Sequence, residues 1–280
     1  MTKNYYGKLL SNPLQNYKAK KNLKLKVHSY YLSLSHSDMS GYNVCPFANK
    51  LSTNENNDKK SNCSSVCVAS NGNGRYPKVI ESRIKKTKRF FEDRENFLNE
   101  LVEDIRKAVL YSEHYGFIPT FRLNAYSDIK WENIDIKISY NEFKKHYSNN
   151  KLLKRYFDKY GLNYAYGNIF NLFPNVQFYD YTKIPNRKTP SNYSLTYSHF
   201  GQTEITKSQI KKGYNVAMVF DSKTDLPKKY NGIKVIDGDE TDLRTKENDG
   251  ENVIVGLRAK MSKANIQKEL SKDISFIVKQ

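Results

Sequence analysis

The chain has 280 residues, which is enough for one large domain or two small ones with a sizeable core. Its formal net charge of +18 favours an anionic partner, and nucleic acid is the commonest one. The alternative is a lysine-rich solvated surface of the kind that an AT-rich genome encodes. No stretch approaches the roughly 18 apolar residues that span a bilayer, and the first ten residues lack the apolar core of a signal peptide. We therefore expect an intracellular protein without a membrane partner.

Basic residues concentrate in two parts of the chain. Residues 1–30 carry seven lysines and no acid, and we predict a basic N-terminal segment, 1–24, followed by a single α/β domain, 25–280. The second concentration of charge consists of Arg83, Lys85, Lys86, Lys88 and Arg89. Both of these basic clusters could contact a phosphate backbone, so we expect DNA or RNA as a partner.

Hydrophobic periodicity and turn residues predict the elements in chain order. The first strand covers residues 27–34, and a polar loop from 35 to about 76 follows it and holds all three cysteines. A helix over 84–115 is indicated by an apolar stripe and by the stop at Gly116. The further predicted elements are the strand 119–126, the helix 141–160, the strands 175–182 and 193–198, the helix 205–212, the strands 215–220, 233–236 and 252–257, the helix 263–270 and the strand 275–278.

Strands that alternate with helices predict parallel βαβ units. The order fits a (β/α) barrel-like fold or an open, mostly parallel sheet with helices, with the long cysteine-bearing loop after the first core strand. In both architectures functional residues gather at the carboxyl ends of the strands. Residues just past predicted strand ends are therefore the candidates for a site.

The three cysteines are Cys45, Cys63 and Cys67, and the last two have C-x3-C spacing. In a reducing compartment an odd number of cysteines indicates metal ligands or free thiols rather than disulfides. Three thiolates can hold a 4Fe-4S cluster and leave one iron open to a cofactor, or they can hold zinc with His36 as a fourth ligand. Three unrelated small residues in a loop are the remaining alternative.

Four residues near predicted strand ends are candidates for catalysis: Arg122, Asn124, Asp128 and Lys183. Arg122 on a strand requires an anionic partner, which is a substrate carboxylate, a phosphate or Asp128. Lys183 could hold a phosphate or carboxylate, or it could lie on the solvated face of an edge strand. The only tryptophan, Trp131, is expected in the core.

A further acidic turn surrounds Gly238, and we predict cofactor contacts from Asp239, Asp242 and Arg244. A divalent-metal nuclease site is one alternative, and a tight turn with Asx hydrogen bonds and an Asp–Arg pair is another. No P-loop, G-x-G-x-x-G, H-E-x-x-H or G-x-S-x-G motif occurs, which disfavours a kinase, a simple NTPase and a serine hydrolase.

Together, and in this order, several segments resemble the bacteriophage "gene product 88" family over roughly residues 25–260. The resemblance implies a phage or mobile-element protein in the cytoplasm of an infected bacterial host. Two departures are a longer stretch between Cys45 and Cys63, and Asn124 to Asp128 where relatives often read His, Ser, Gly, Asp. The segments are 40–46 (SGYNVCP), Cys63-x3-Cys67, 121–123 (FRL), 178–183 (FYDYTK), 235–244 (VIDGDETDLR) and 255–260 (VGLRAK).

A weaker resemblance is to radical S-adenosylmethionine enzymes, which place three cluster cysteines in the loop after the first strand of a (β/α) barrel. Only the C-x3-C part matches, and Ser70 lies where the third cysteine would be. Three hypotheses remain open. The first is an iron–sulfur enzyme that uses S-adenosylmethionine, and the second is a nucleic-acid-binding protein or nuclease with structural zinc or no metal at the cysteines. The third is a non-enzymatic protein that binds a host protein.

Overall fold

The computed structural model describes residues 8–47, 67, 69, 72–137, 151–160, 167–222, 225–272 and 275–280. Every strand predicted from the sequence is found, with ends that shift by a few residues. One strand, the two-residue β6, was not predicted. The strands of the described residues are β1 (Val27–Tyr31), β2 (Ile118–Arg122), β3 (Gln177–Thr182), β4 (Tyr193–Ser198), β5 (Val216–Phe220), β6 (Lys229–Tyr230), β7 (Ile233–Asp237), β8 (Ile254–Arg258) and β9 (Ile277–Val278).

These strands form one sheet in the order β1-β2-β3-β4-β5-β8-β7-β6, and β9 pairs with the end of β5. All neighbours are parallel except β6 and β7. The register places Tyr31 beside Arg122, so the carboxyl ends of β1 and β2 coincide. Within the part of the chain that the structure describes, no ladder joins β1 to β6 or β7. The mostly parallel sheet is therefore confirmed, whereas closure into a barrel stays a prediction.

The long helix predicted over 84–115 is two helices that meet at Asp93. Asp93 N donates to Arg89 O at the end of the first helix, and Asp93 O accepts from Phe97 N at the start of the second. The φ of −138° and ψ of 51° at Asp93 lie outside the helical range, so the helix axis breaks there. The stripe of apolar residues nevertheless continues across the break. The described helices are α1 (Tyr17–Lys21), α2 (Pro77–Glu92), α3 (Arg94–His114), α4 (Lys151–Tyr160), α5 (Ile169–Leu172), α6 (Thr203–Lys211), α7 (Lys246–Asp249) and α8 (Lys263–Leu270).

The larger core lies between α3 and the first four strands. Leu101 and Ile105 of α3 and Phe121 and Phe178 of the sheet are fully buried there. Trp131 is also fully buried, as predicted. None of the described helices is long and apolar enough to cross a bilayer. The first part of the predicted 141–160 helix falls outside the described residues.

The described part of the basic N-terminal segment packs against this core. Leu9 and Leu10 are buried, and their backbone N–H groups donate to the Asp104 carboxylate at 2.7 and 3.2 Å. The side chain of Asn16 caps α1 by accepting from Lys18 N and Ala19 N. This anchoring brings α1 to the edge of the sheet where the strands end.

Candidate functional site

A cavity of about 240 Å³ lies at the carboxyl ends of the parallel strands. Its wall includes the segments that follow β2, β3 and β7, together with Ser198 at the end of β4 and Arg258 at the end of β8. Open α/β sheets bind ligands at this edge because the loops there are free to vary. The structure therefore has a cavity at the strand ends, where the sequence predicts the candidate residues.

Most of the predicted site residues line this one cavity. The four predicted catalytic residues do so, and so do Asp239 and Asp242 of the acidic turn and the cysteines Cys45 and Cys67. Arg244 is not on the cavity wall, and Cys63 lies outside the described residues. The structure therefore brings together residues that the sequence places far apart.

Arg122 is the centre of a buried charge network that joins the two ends of the sheet. Its Nη1 donates to Asp242 Oδ2 at 3.0 Å, and its Nε lies 3.7 Å from Asp180 Oδ1. The hydroxyl of Tyr31 donates to the same Asp242 oxygen at 2.8 Å. Because Tyr31 belongs to β1 and Asp242 follows β7, the network holds the first strand close to the turn after the seventh. The anionic partner of Arg122 is therefore Asp242 rather than Asp128.

Burial affects the two carboxylates of this network differently. It raises the pKa of Asp180 to about 7, against the opposing charge of Arg122. Burial would also raise the pKa of Asp242, but Arg122 and Lys18 outweigh it and hold that pKa below its usual range. Asp242 thus balances the charge of Arg122, while burial favours the protonated form of Asp180.

Asn124 organises the turn that follows β2. Its Oδ1 accepts from Ser127 Oγ at 2.8 Å, from Ile129 N at 3.0 Å and from Trp131 Nε1 at 3.2 Å. Its Nδ2 donates to Ile129 O at 2.9 Å. These contacts use both ends of the amide inside the protein, so Asn124 shapes the cavity wall.

Asp128 links that turn to the end of β3. Its carboxylate accepts from Thr182 Oγ1 at 2.8 Å and from Lys183 N at 2.7 Å. The guanidinium of Arg187 donates to it at 3.1 Å and also pairs with Glu132 at 2.6 Å. Burial raises the pKa of Asp128 despite these donors. The result is a fixed backbone position for Lys183.

Lys183 directs its side chain along the cavity wall. Its Nζ donates to Ser198 Oγ at 2.8 Å and lies 5.3 Å from the ring centroid of Phe276 and 5.9 Å from that of Phe200. β3 lies between β2 and β4, so Lys183 follows an inner strand. The alternative of a solvated edge strand is therefore wrong.

The acidic turn after β7 has the hydrogen bonds expected of an Asx turn. Asp239 N donates to Asp237 Oδ1 at 2.9 Å, and both oxygens of Asp237 accept from Arg258 at 2.8 Å. Asp239 also pairs with Lys260 at 2.9 Å. A side chain at Gly238 would place its Cβ 2.5 Å from Val255 Cγ1, so glycine is required for this close approach.

Arg244 lies behind the same turn, where its side chain is 1% exposed. Its guanidinium donates to Asp249 Oδ1 at 3.0 Å and to Thr241 Oγ1 at 3.0 Å. These contacts join the turn to α7. The carboxylate that pairs with Arg244 is thus Asp249 of α7 and not one of the predicted turn, and Arg244 contacts the protein interior.

The two described cysteines lie on the cavity wall and are partly buried. Cys45 Sγ accepts from Ser37 N at 3.4 Å and donates to Tyr126 O at 3.4 Å, while Cys67 Sγ accepts from Ala69 N at 3.5 Å. Over the described ranges, no three His, Cys, Asp or Glu side chains come close enough to hold a metal ion. His36, the suggested fourth zinc ligand, is buried and is not on the cavity wall.

Two lysines of α1 also line the cavity, and the sequence did not single them out. Lys21 Nζ donates to Asp239 O, and burial lowers the pKa of Lys18 despite the nearby Asp242. The signal that could have found them is the spacing of three residues on a helix that Asn16 caps, which puts both ammonium groups on one face.

This arrangement defines an α/β protein with a mostly parallel sheet and a cavity, lined by charged and apolar side chains, at the carboxyl ends of its strands. The model of the family described as Gene product 88 matches residues 3–274. The chain therefore belongs to the Gene product 88 family, a bacteriophage gene product family, as its motifs indicated. No curated protein and no solved structure matches the chain, and the comparisons give no support to the resemblance to radical S-adenosylmethionine enzymes.

Proposed function

We propose that this phage protein is an enzyme that holds an iron–sulfur cluster through Cys45, Cys63 and Cys67 beside a small-molecule cavity. The observation that carries the proposal is that Cys45 and Cys67 line the same cavity as Arg122 and Lys183. Thiolates are the ligands that iron–sulfur clusters prefer. A set of two thiols on one wall fits such a cluster if Cys63 completes it.

Each group of residues has its own task in this proposal. The three thiolates would hold a 4Fe-4S cluster, which supplies an open iron for a cofactor such as S-adenosylmethionine. Arg122 and Asp242 keep the wall in place, and Lys183 is available to orient an anionic part of a ligand. Zinc at the same thiolates is the alternative for the metal, with a structural role.

Anaerobic purification followed by iron, sulfide and zinc analysis tests the metal. We expect a brown protein with about four iron atoms per chain, the content of a single 4Fe-4S cluster. Cys45→Ala, Cys63→Ala and Cys67→Ala should each lose the colour. Ser65→Ala, a change of similar size in the same loop, is the matched control and should keep it. A colourless, iron-free protein after anaerobic reconstitution would refute the cluster.

Nucleic-acid binding is the second candidate function, and the net charge of +18 is the observation that favours it. Internal contacts use part of the charge of α2. Arg83 is buried and donates to Ala69 O at 3.2 Å, Lys86 Nζ donates to Leu9 O at 2.9 Å, and Arg89 pairs with Glu100 at 2.8 Å. Fewer cationic side chains of α2 are therefore available to contact a phosphate backbone than the sequence indicates.

Gel retardation of labelled DNA and RNA over a series of salt concentrations tests this second candidate. Binding through several phosphates should weaken steeply with salt, with a slope of about −0.9 per neutralised phosphate on duplex DNA. No retardation of either nucleic acid at low salt would exclude it. Asp239→Ala and Asp242→Ala in a cleavage assay test the nuclease variant of this idea. A chain with neither metal nor nucleic acid would leave a host protein as the partner to seek by pull-down.

A further inference from the structure

The cavity wall carries more positive than negative charge. Six cationic side chains line it, and three carboxylates do so. The cations are Lys18, Lys21, Arg122, Lys183, Arg258 and Lys260, and the carboxylates are Asp128, Asp239 and Asp242. An excess of positive charge in a partly enclosed space raises the local concentration of anions.

The two arginines of the wall are already paired with carboxylates. Arg122 pairs with Asp242 at 3.0 Å, and Arg258 pairs with Asp237 at 2.8 Å. The planar guanidinium group of arginine can donate two parallel hydrogen bonds to a carboxylate. Because both guanidinium groups already pair with carboxylates of the protein, the side chains best suited to bind a carboxylate ligand are occupied. What remains for a ligand is a set of ammonium groups, which act as point charges.

Three of the lysines lack a carboxylate partner among the described residues. Lys183 Nζ has the hydroxyl of Ser198, and Lys21 Nζ has the carbonyl of Asp239. No carboxylate of the described chain lies within 4.0 Å of Lys18 Nζ, and burial lowers the pKa of this lysine. A ligand anion beside Lys18 would therefore relieve an unfavourable desolvation.

The rest of the wall is apolar, with Tyr181, Leu257, Met261 and Phe276 among its side chains. The cavity volume of about 240 Å³ is somewhat below the roughly 300–1,000 Å³ typical of drug-sized ligands. We propose that the cavity binds a small organic phosphate whose phosphate group is held by the ammonium groups of Lys18, Lys21 and Lys183. This inference rests on the proposed small-molecule site and names its ligand class.

Calorimetric titration of the full chain with pyrophosphate tests the inference. The triple variant Cys45→Ser/Cys63→Ser/Cys67→Ser is titrated as well, so that the phosphate site and the metal site can fail separately. We expect saturable binding in both proteins at constant ionic strength. Lys18→Ala and Lys183→Ala should each weaken binding about tenfold or more, because each removes a charge-assisted hydrogen bond.

Two exposed lysines provide matched controls. Lys20 is on α1 and Lys188 follows β3, and neither lines the cavity. Lys20→Ala and Lys188→Ala should leave the affinity within about twofold of the parent, because exposed charges at a distance are screened by salt. Equal losses for Lys18→Ala and Lys20→Ala would show attraction by overall charge and overturn the inference.

Two competing ligands separate the chemical classes. Malonate, a dicarboxylate, should bind more weakly than pyrophosphate, and equal or tighter binding of malonate would refute the assignment to phosphate. A single-stranded oligonucleotide should not displace pyrophosphate, and stoichiometric displacement would assign the lysines to nucleic acid. A colourless protein that binds pyrophosphate refutes the cluster alone, and a brown protein without saturable binding refutes the phosphate site alone.

Discussion

Replacing Asp242 by asparagine removes one charge from the buried Arg122–Asp242 pair and keeps the size of the side chain. The two side chains are 7% and 12% exposed, and the atoms that join them lie 3.0 Å apart. Tyr31 donates to the same carboxylate at 2.8 Å. Breaking a buried pair costs about 3–5 kcal/mol, because the remaining charge is buried without compensation.

Asp180 should reduce the cost of this substitution. Its carboxylate is 3.7 Å from Arg122 Nε, and burial raises its pKa to about 7. Without Asp242, the charge of Arg122 acts on Asp180 alone and favours its ionised form. We therefore expect Asp242→Asn to lower the free energy of unfolding by about 3 kcal/mol, the lower end of the range for a broken buried pair.

Urea unfolding followed by circular dichroism measures this loss as a lower midpoint at an unchanged slope. The control is Glu251→Gln, which breaks the Lys246–Glu251 pair, whose atoms are 2.8 Å apart and whose side chains are 62% and 60% exposed. An exposed pair contributes about 0–1 kcal/mol. If both variants lost the same amount, the buried network would not be what holds β1 to the turn after β7.

Two further predictions concern the sheet. The folded-state pKa of Asp180, about 7, lies above its ordinary value of 3.8. Between these two pH values the folded chain binds more protons than the unfolded chain. The free energy of unfolding therefore falls as the pH rises through this interval, by up to about 1.4 kcal/mol per pH unit. Asp180→Asn should remove this dependence in urea titrations over that interval, and an unchanged pH slope would contradict the assignment. Gly256→Ala would place a Cβ 2.8 Å from Val235 Cγ1 and should cost about 1–3 kcal/mol. Adding Val235→Ala opens space, so the double variant should lose less than the sum of the single variants, whereas additive losses would exclude this contact as the cause.

The strands could be predicted because each combines β-branched or aromatic residues with a flanking turn residue. Their ends could be predicted only to within a few residues. The predicted strand 27–34 ends at Tyr31 in the structure, although Leu32 and Leu34 are still buried. In the sequence, a buried apolar residue that follows a strand looks the same as a buried apolar residue within the strand. The break at Asp93 was missed because buried apolar residues lie close to it on both sides, Phe90 in α2 and Phe97 in α3, so the pattern looks continuous in the sequence.

The cavity could be predicted in part, because the carboxyl ends of parallel strands meet at one edge of the sheet. That rule selected Arg122 and Lys183. It could not supply their partners, since Asp242 is 120 positions from Arg122 in the chain. Lys21 contacts the backbone of Asp239 across 218 positions, and no local pattern marks such a pair. Pairing over these distances depends on how the sheet curves, which one sequence does not specify.

Asp128 shows why a place on the cavity wall does not by itself make a catalytic residue. A general base needs a lone pair directed at the substrate. The carboxylate of Asp128 already accepts from Thr182 Oγ1 at 2.8 Å, from Lys183 N at 2.7 Å and from Arg187 at 3.1 Å. Its oxygens thus hold the end of β3 in place, and we expect it to position Lys183.

Asp128→Asn tests this positioning role, because the amide turns an N–H₂ group toward at least one of these donors. We expect a loss of about 1–3 kcal/mol in the free energy of unfolding, the cost of a buried donor left unpaired. Pyrophosphate affinity should fall as well, because fewer hydrogen bonds hold the end of β3 that carries Lys183. Lys183→Ala should instead lower the affinity with little change in stability, since the one hydrogen bond of its ammonium among the described residues goes to the hydroxyl of Ser198. Unchanged stability of Asp128→Asn would show that the carboxylate is not required to hold the strand end.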